Sequence, residues 1–122
     1  MKKFFGLLML SALLTGCTTI TNLTPSHYPR DPSGYYRVEA AWYSDREAVR
    51  EKSFKPLVLV GATNAFPMQP VPMVTDRWEA FVPVPADQDM VVYRFKFDFL
   101  DATMSGERPN SMMSQDYELR IK

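Results

Sequence analysis

Met90-Val-Val-Tyr-Arg-Phe-Lys-Phe-Asp-Phe99 is the stretch that decides the fold. Val91, Tyr93, Phe95, Phe97 and Phe99 take every second position, and Arg94, Lys96 and Asp98 lie between them. A period of two puts these two sets on opposite faces of an extended chain, so the run reads as a β-strand with one face in a core. Wound as a helix, the same residues would scatter their rings around the circumference and bury few of them.

The same period returns in both directions. Tyr117, Leu119 and Ile121 alternate with Glu118, Arg120 and Lys122. Upstream, Trp78, Ala80, Val82 and Val84 share one face of a run from Arg77 to Val84, and Tyr36, Val38, Ala40 and Trp42 alternate with Arg37, Glu39 and Ala41. Phe54 and the run from Leu57 to Val60 form another apolar segment, stopped by Gly61. Pro67 to Pro72, Pro83 to Asp89 and Ser105 to Ser114 are turn-rich, and the one helical candidate, Asp45 to Lys52, is barely two turns long. Short strands punctuated by Pro, Gly and Asp predict an all-β fold, a small antiparallel β-sandwich over residues 34–122. The prolines suit sheet edges, where a missing N–H removes no ladder bond. Trp42 and Trp78 fall on inward faces, and Phe81, on the face opposite Trp78, is expected at the surface.

The amino-terminal end follows other rules. Lys2 and Lys3 precede an apolar run from Phe4 to Leu14, and then comes Leu14-Thr15-Gly16-Cys17. A short cationic region, an apolar core and small residues are, in that order, the plan of a secretory signal. The apolar run falls short of the about 20 residues that a permanent span needs. Leu14-Thr15-Gly16-Cys17 resembles the lipobox of bacterial lipoproteins. The resemblance implies that residues 1–16 are a signal peptide to be removed and that Cys17 becomes a lipid-bearing N-terminus in the cell envelope. Thr18 in place of Asp after that cysteine implies the outer membrane, facing the periplasm. From Thr18 the chain reads TTITNLTPSHYPRDP, with no clear period, so residues 17–33 are expected to be the lipid anchor and a flexible tether.

Charge and cysteine content narrow the choices. Removing residues 1–16 takes away Lys2 and Lys3 and no acid, leaving 12 basic against 14 acidic side chains, a net charge of −2. No basic stripe marks a nucleic-acid partner. Cys17 is the only cysteine, so the domain rests on packing rather than a disulfide, a need that the aromatic content fits, with eight Phe, six Tyr and two Trp in the full chain. About 90 residues leave room for one core.

Catalytic groupings are sparse. The single histidine, His27, sits in the expected tether, which leaves the domain without a histidine base for a Ser or Cys nucleophile. Asp87 with Asp89, and Asp98 with Asp101, read as solvated turn carboxylates. Zinc would need Cys and His ligands, and no Gly-rich phosphate loop occurs. Met68, Met73, Met90, Met104, Met112 and Met113 are soft thioethers, but their irregular spacing without histidine fits core filling and adaptable surfaces better than a copper site. Neither an enzyme nor a cofactor is expected.

Leu57-Val-Leu-Val-Gly61, Asn64-Ala-Phe66, Pro72-Met73, Trp78-Glu79 and Val92-Tyr-Arg-Phe-Lys-Phe-Asp98 together resemble the early-set immunoglobulin-like domains, in particular the glycogen- and starch-binding type. That resemblance implies an immunoglobulin-like sandwich and a glycan-binding module using Phe66, Trp78 and Lys96. The residues themselves favour another function, a non-catalytic interaction or assembly accessory that binds an envelope protein through Phe66, Met68, Val71, Met73 and Phe81. Prolines pre-order the stretch Phe66-Pro-Met-Gln-Pro-Val-Pro-Met73, so that docking costs it little entropy. It forms either an apolar edge for a partner or a cap on the sandwich.

Overall fold

A computed structural model describes residues 18–44 and 49–122, with residues 49–52 given by their backbone. Cys17 and the expected signal peptide lie outside the described residues, as do residues 45–48 of the helical candidate. Among the described residues there are ten strands: β1 (Thr18–Asn22), β2 (His27–Tyr28), β3 (Tyr35–Ser44), β4 (Val49–Val60), β5 (Asn64–Pro67), β6 (Gln69–Pro70), β7 (Arg77–Pro83), β8 (Met90–Thr103), β9 (Gly106–Met113) and β10 (Tyr117–Ile121).

Two sheets face each other. The first has the order β1-β3-β7-β6 and the second β2-β10-β8-β4-β5, with β9 pairing the outer half of β8. The expected small β-sandwich is therefore present, its first two strands divided between the sheets. One pair departs from the antiparallel expectation: β2 runs parallel to β10, with His27 opposite Arg120.

The alternation read from the sequence becomes burial. Tyr36, Val38, Ala40 and Trp42 of β3 and Ala80 and Val82 of β7 face Tyr93, Phe95 and Phe97 of β8 and Leu119 and Ile121 of β10, all in one core. Its densest part is aromatic. Trp42 stacks on Phe97 with centroids 5.0 Å apart, and Phe54 meets Trp42 edge-on at 4.8 Å.

Three expectations are corrected. The tether is the first. β1 pairs with β3 from Thr18 to Asn22, and β2 pairs with β10. Between them Thr24 replaces a missing ladder partner: its hydroxyl accepts from the Glu39 N–H at 3.0 Å and donates to the Glu39 carbonyl at 3.3 Å. Arg30 continues the attachment by donating to the Gln88 carbonyl at 2.8 Å. The second is the helical candidate, since Val49 to Lys52 extends β4, where Val49 pairs with Asp101. The third is Ser105 to Ser114, which is largely β9, an outer strand held by its ladder to β8.

A polar contact ties the sheets together across the core. Asn22 Nδ2 donates to the Tyr93 hydroxyl at 2.9 Å, and that hydroxyl lies 3.2 Å from Asn22 Oδ1. Burial pushes the Tyr93 phenol above its ordinary value of 10.0, with contacts to Thr24 and Asn22 pulling it partly back. Burial also raises Tyr28, against the pull of Arg37. A phenol raised on folding contributes stability that is complete below the unfolded value and is lost as pH rises through the folded one. Stability is therefore expected to fall above about pH 10 as these tyrosines ionise. Tyr93→Phe should cost about 1 kcal/mol near neutrality through the lost hydrogen bond and make the alkaline decline shallower. Urea unfolding across the alkaline range measures both effects; an unchanged slope for the variant would remove Tyr93 from the account.

Candidate functional site

Strand register sorts the outward side chains. On the outer face of the first sheet Tyr35 lies opposite Pro83, Arg37 opposite Phe81, and Glu39 opposite Glu79. At the centre, Arg37 Nε donates to Glu79 Oε2 at 2.5 Å and Nη2 to Glu39 Oε1 at 2.7 Å. The two glutamate side chains are only 12% and 13% exposed, so one guanidinium holds two largely buried carboxylates. The hydrogen bond to Glu79 raises Arg37 further above its ordinary range.

Beside this network the face turns apolar. Phe81 is 52% exposed and Tyr35 54%. Tyr35 and Pro83 continue over the rim of the sandwich into a cleft of about 510 Å³ that is also lined by Asn64, Phe66, Val84 and Pro85. Pairing of Phe66 with Val58 places the Phe66 ring on the inward side of β5, where it forms the half-buried floor of that cleft. A continuous strip thus runs from Phe81 across Tyr35 and Pro83 to Phe66. It combines rings and prolines beside an arginine, a composition enriched at protein interfaces.

The other site residues expected from the sequence lie elsewhere. Met68 is 7% exposed and packs in the core, its N–H donating to the Pro56 carbonyl at 2.9 Å, so it caps the sandwich and offers no contact surface. Val71 is half-buried beside Arg77, and Met73 stands fully exposed at the far end of the molecule from the cleft. The stretch from Phe66 to Met73 is thus a cap in its first part and a projecting turn in its last. Phe66, Trp78 and Lys96 do not meet on one surface. Trp78 packs its indole toward Phe54 and Phe97, whereas Lys96 points outward from β8, with Nζ 3.6 Å from Asp98 Oδ1. Tyr35 and Pro83 belong to the strip and were missed by reading the inward faces alone. The phase that sends Tyr36 and Val82 inward sends both of them outward.

A shallow groove of about 820 Å³ lies on the outer face of the second sheet, lined by Ser53, Lys55, Asp98, Leu100, Pro109 and Ser111 among others. Its side chains offer no exposed ring for stacking. His27, now placed on β2, is exposed, with Ser26 Oγ 2.9 Å from Nδ1 as its one side-chain partner among the described residues. No group of three His, Cys, Asp or Glu side chains there is arranged to hold a metal ion. No helix among those residues is long and apolar enough to cross a membrane. The chain matches no protein-family model and no curated protein.

Proposed function

We propose that this protein is a lipid-anchored, non-catalytic accessory of the bacterial cell envelope that binds a protein partner through the strip from Phe81 to Phe66. The exposure of Tyr35 and Phe81 beside the rim cleft carries the reading. Rings held on a stiff sheet lose little freedom on docking, and a large aromatic side chain at the centre of an interface contributes about 2 kcal/mol or more. The lipobox-like Leu14-Thr15-Gly16-Cys17 supplies the anchor, and Thr18 after it favours the periplasmic side of the outer membrane.

The test is affinity purification of the lipidated chain from detergent-solubilised envelopes, run beside Tyr35→Ser and Phe81→Asp. A partner that co-purifies stoichiometrically with the native chain should fall by roughly tenfold or more with either variant. Equal recovery with all three chains would move the contact off this strip. Retention on purified peptidoglycan or polysaccharide, with no protein recovered, would replace the reading by glycan binding.

A further inference from the structure

The register that sets the cleft at one end of the sandwich gathers a second set of exposed apolar side chains at the other. β1 begins there, Thr18 lying opposite Ser44 at the end of β3. The turn between β6 and β7 reaches the same end, because the Asp76 carbonyl accepts from the Trp42 N–H at 2.9 Å. So does the tip of the β8–β9 hairpin, which projects past Asp101, the partner of Val49. Met73 and Met104 stand at the two tips with exposures of 104% and 108%, accompanied by Val74 at 41% and Tyr43 at 58%. Met73 holds a φ of 64°, a left-handed conformation that glycine would adopt with less strain, so the turn keeps a thioether outermost at a conformational cost.

We propose that this end docks on the membrane, with Met73, Val74 and Met104 entering the interfacial layer and Tyr43 lying at headgroup level. The inference rests on the lipoprotein reading of Cys17. The occupant follows from the position of Cys17 immediately before β1 in the sequence. A single peptide link, about 3.8 Å between Cα atoms, separates Cys17 from the first residue of β1, so acyl chains there bring this end against the bilayer with almost no slack. Thioether and branched apolar tips are suited to that layer, and a tyrosine, apolar in its ring and polar at its hydroxyl, is favoured at its boundary. Beside the tips Asp76 and Glu107 balance Arg77 and Arg108, so the contact is apolar and needs no anionic lipid. Docking would also orient the molecule. Tyr35 lies at the opposite end of β3 from Ser44, about 30 Å away at 3.3 Å per residue, so the strip would face away from the bilayer.

The experiment uses the full lipidated chain in vesicles of phosphatidylcholine and phosphatidylethanolamine. It carries one nitroxide, at Met73→Cys, at Met104→Cys, or at Gln88→Cys in the turn at the opposite end. Collisions with oxygen, which concentrates in the bilayer, are compared with collisions with a water-soluble nickel chelate. The oxygen-to-nickel ratio at positions 73 and 104 should exceed that at 88 by about fivefold or more. Equal ratios at all three positions, in a chain whose intact mass confirms acylation, would overturn the docking while leaving the anchor in place. A chain that carries no lipid when purified from envelopes would overturn both.

Discussion

Phe97→Ala should destabilise the domain by about 3–5 kcal/mol, the largest single effect expected in the molecule. Phe97 is fully buried and meets rings on three elements: Trp42 at 5.0 Å, Phe54 at 5.9 Å and Trp78 at 6.4 Å. Removing its ring takes away transfer energy and also leaves a cavity, because strands pinned on both sides by ladders collapse poorly. A small domain holds about 5–15 kcal/mol in total, so the variant would populate its unfolded state at modest urea concentrations. Trp42 and Trp78 flank the site, so their fluorescence reports the loss directly. Phe81→Ala, on the outer face, is the comparison, with an expected change within about 0.5 kcal/mol. Similar midpoints for the two variants would mean that the aromatic cluster is not the centre of the core.

How much of this was legible in the sequence depended on whether an element has one apolar and one polar face. β3, β7, β8 and β10 do, and their inward residues are those the alternation indicated. β1 does not, because its inward positions Thr18, Ile20 and Asn22 include two polar residues. Asn22 is tolerated there because the Tyr93 hydroxyl, 71 residues away, pairs with it, and no local pattern announces such a partner. β9 has no strong apolar face either. Gly106 to Met113 is exposed at nearly every position and is a strand because β8 continues beyond β10 and offers it a ladder. Val49 to Lys52 followed helical propensity in the sequence and strand pairing in the fold, a tertiary preference overriding a local one.

The candidate site was legible in part. Phase alone placed Phe81 outward, and the same phase already separated Trp78 from Lys96, since even positions face inward on β7 and outward on β8. Which residues become neighbours across the rim was not readable. The meeting of Phe66 with Tyr35 and Pro83 needs β5 at the edge of one sheet and the ends of β3 and β7 in the other. Met68 looked like a surface residue because its stretch is proline-rich. Its burial follows from the chain crossing between the sheets at that point, where an apolar side chain closes the gap.

Arg37→Met should cost about 2–3 kcal/mol, far more than an ordinary surface ion pair. The reason is asymmetry. Arg37 itself is 40% exposed, but Glu39 and Glu79 are close to nine-tenths covered, and without the guanidinium two carboxylates would face each other across the strand pair. Loss of a fully buried partner costs about 3–5 kcal/mol, and the exposure of Arg37 lets water reduce that figure. Changing Glu39 and Glu79 to Gln in the same chain should recover more than half of the loss, because the penalty comes from stranded charge rather than from a missing attraction. Urea unfolding of the single and triple variants measures this directly. A cost below about 0.5 kcal/mol for Arg37→Met would make the network a solvated surface pair. The triple variant also separates stability from recognition. Phe81 lies directly across from Arg37, so a triple variant that folds well but loses the partner would place the guanidinium in the interface. If it keeps the partner, the arginine serves only to hold flat the sheet that presents Phe81 and Tyr35.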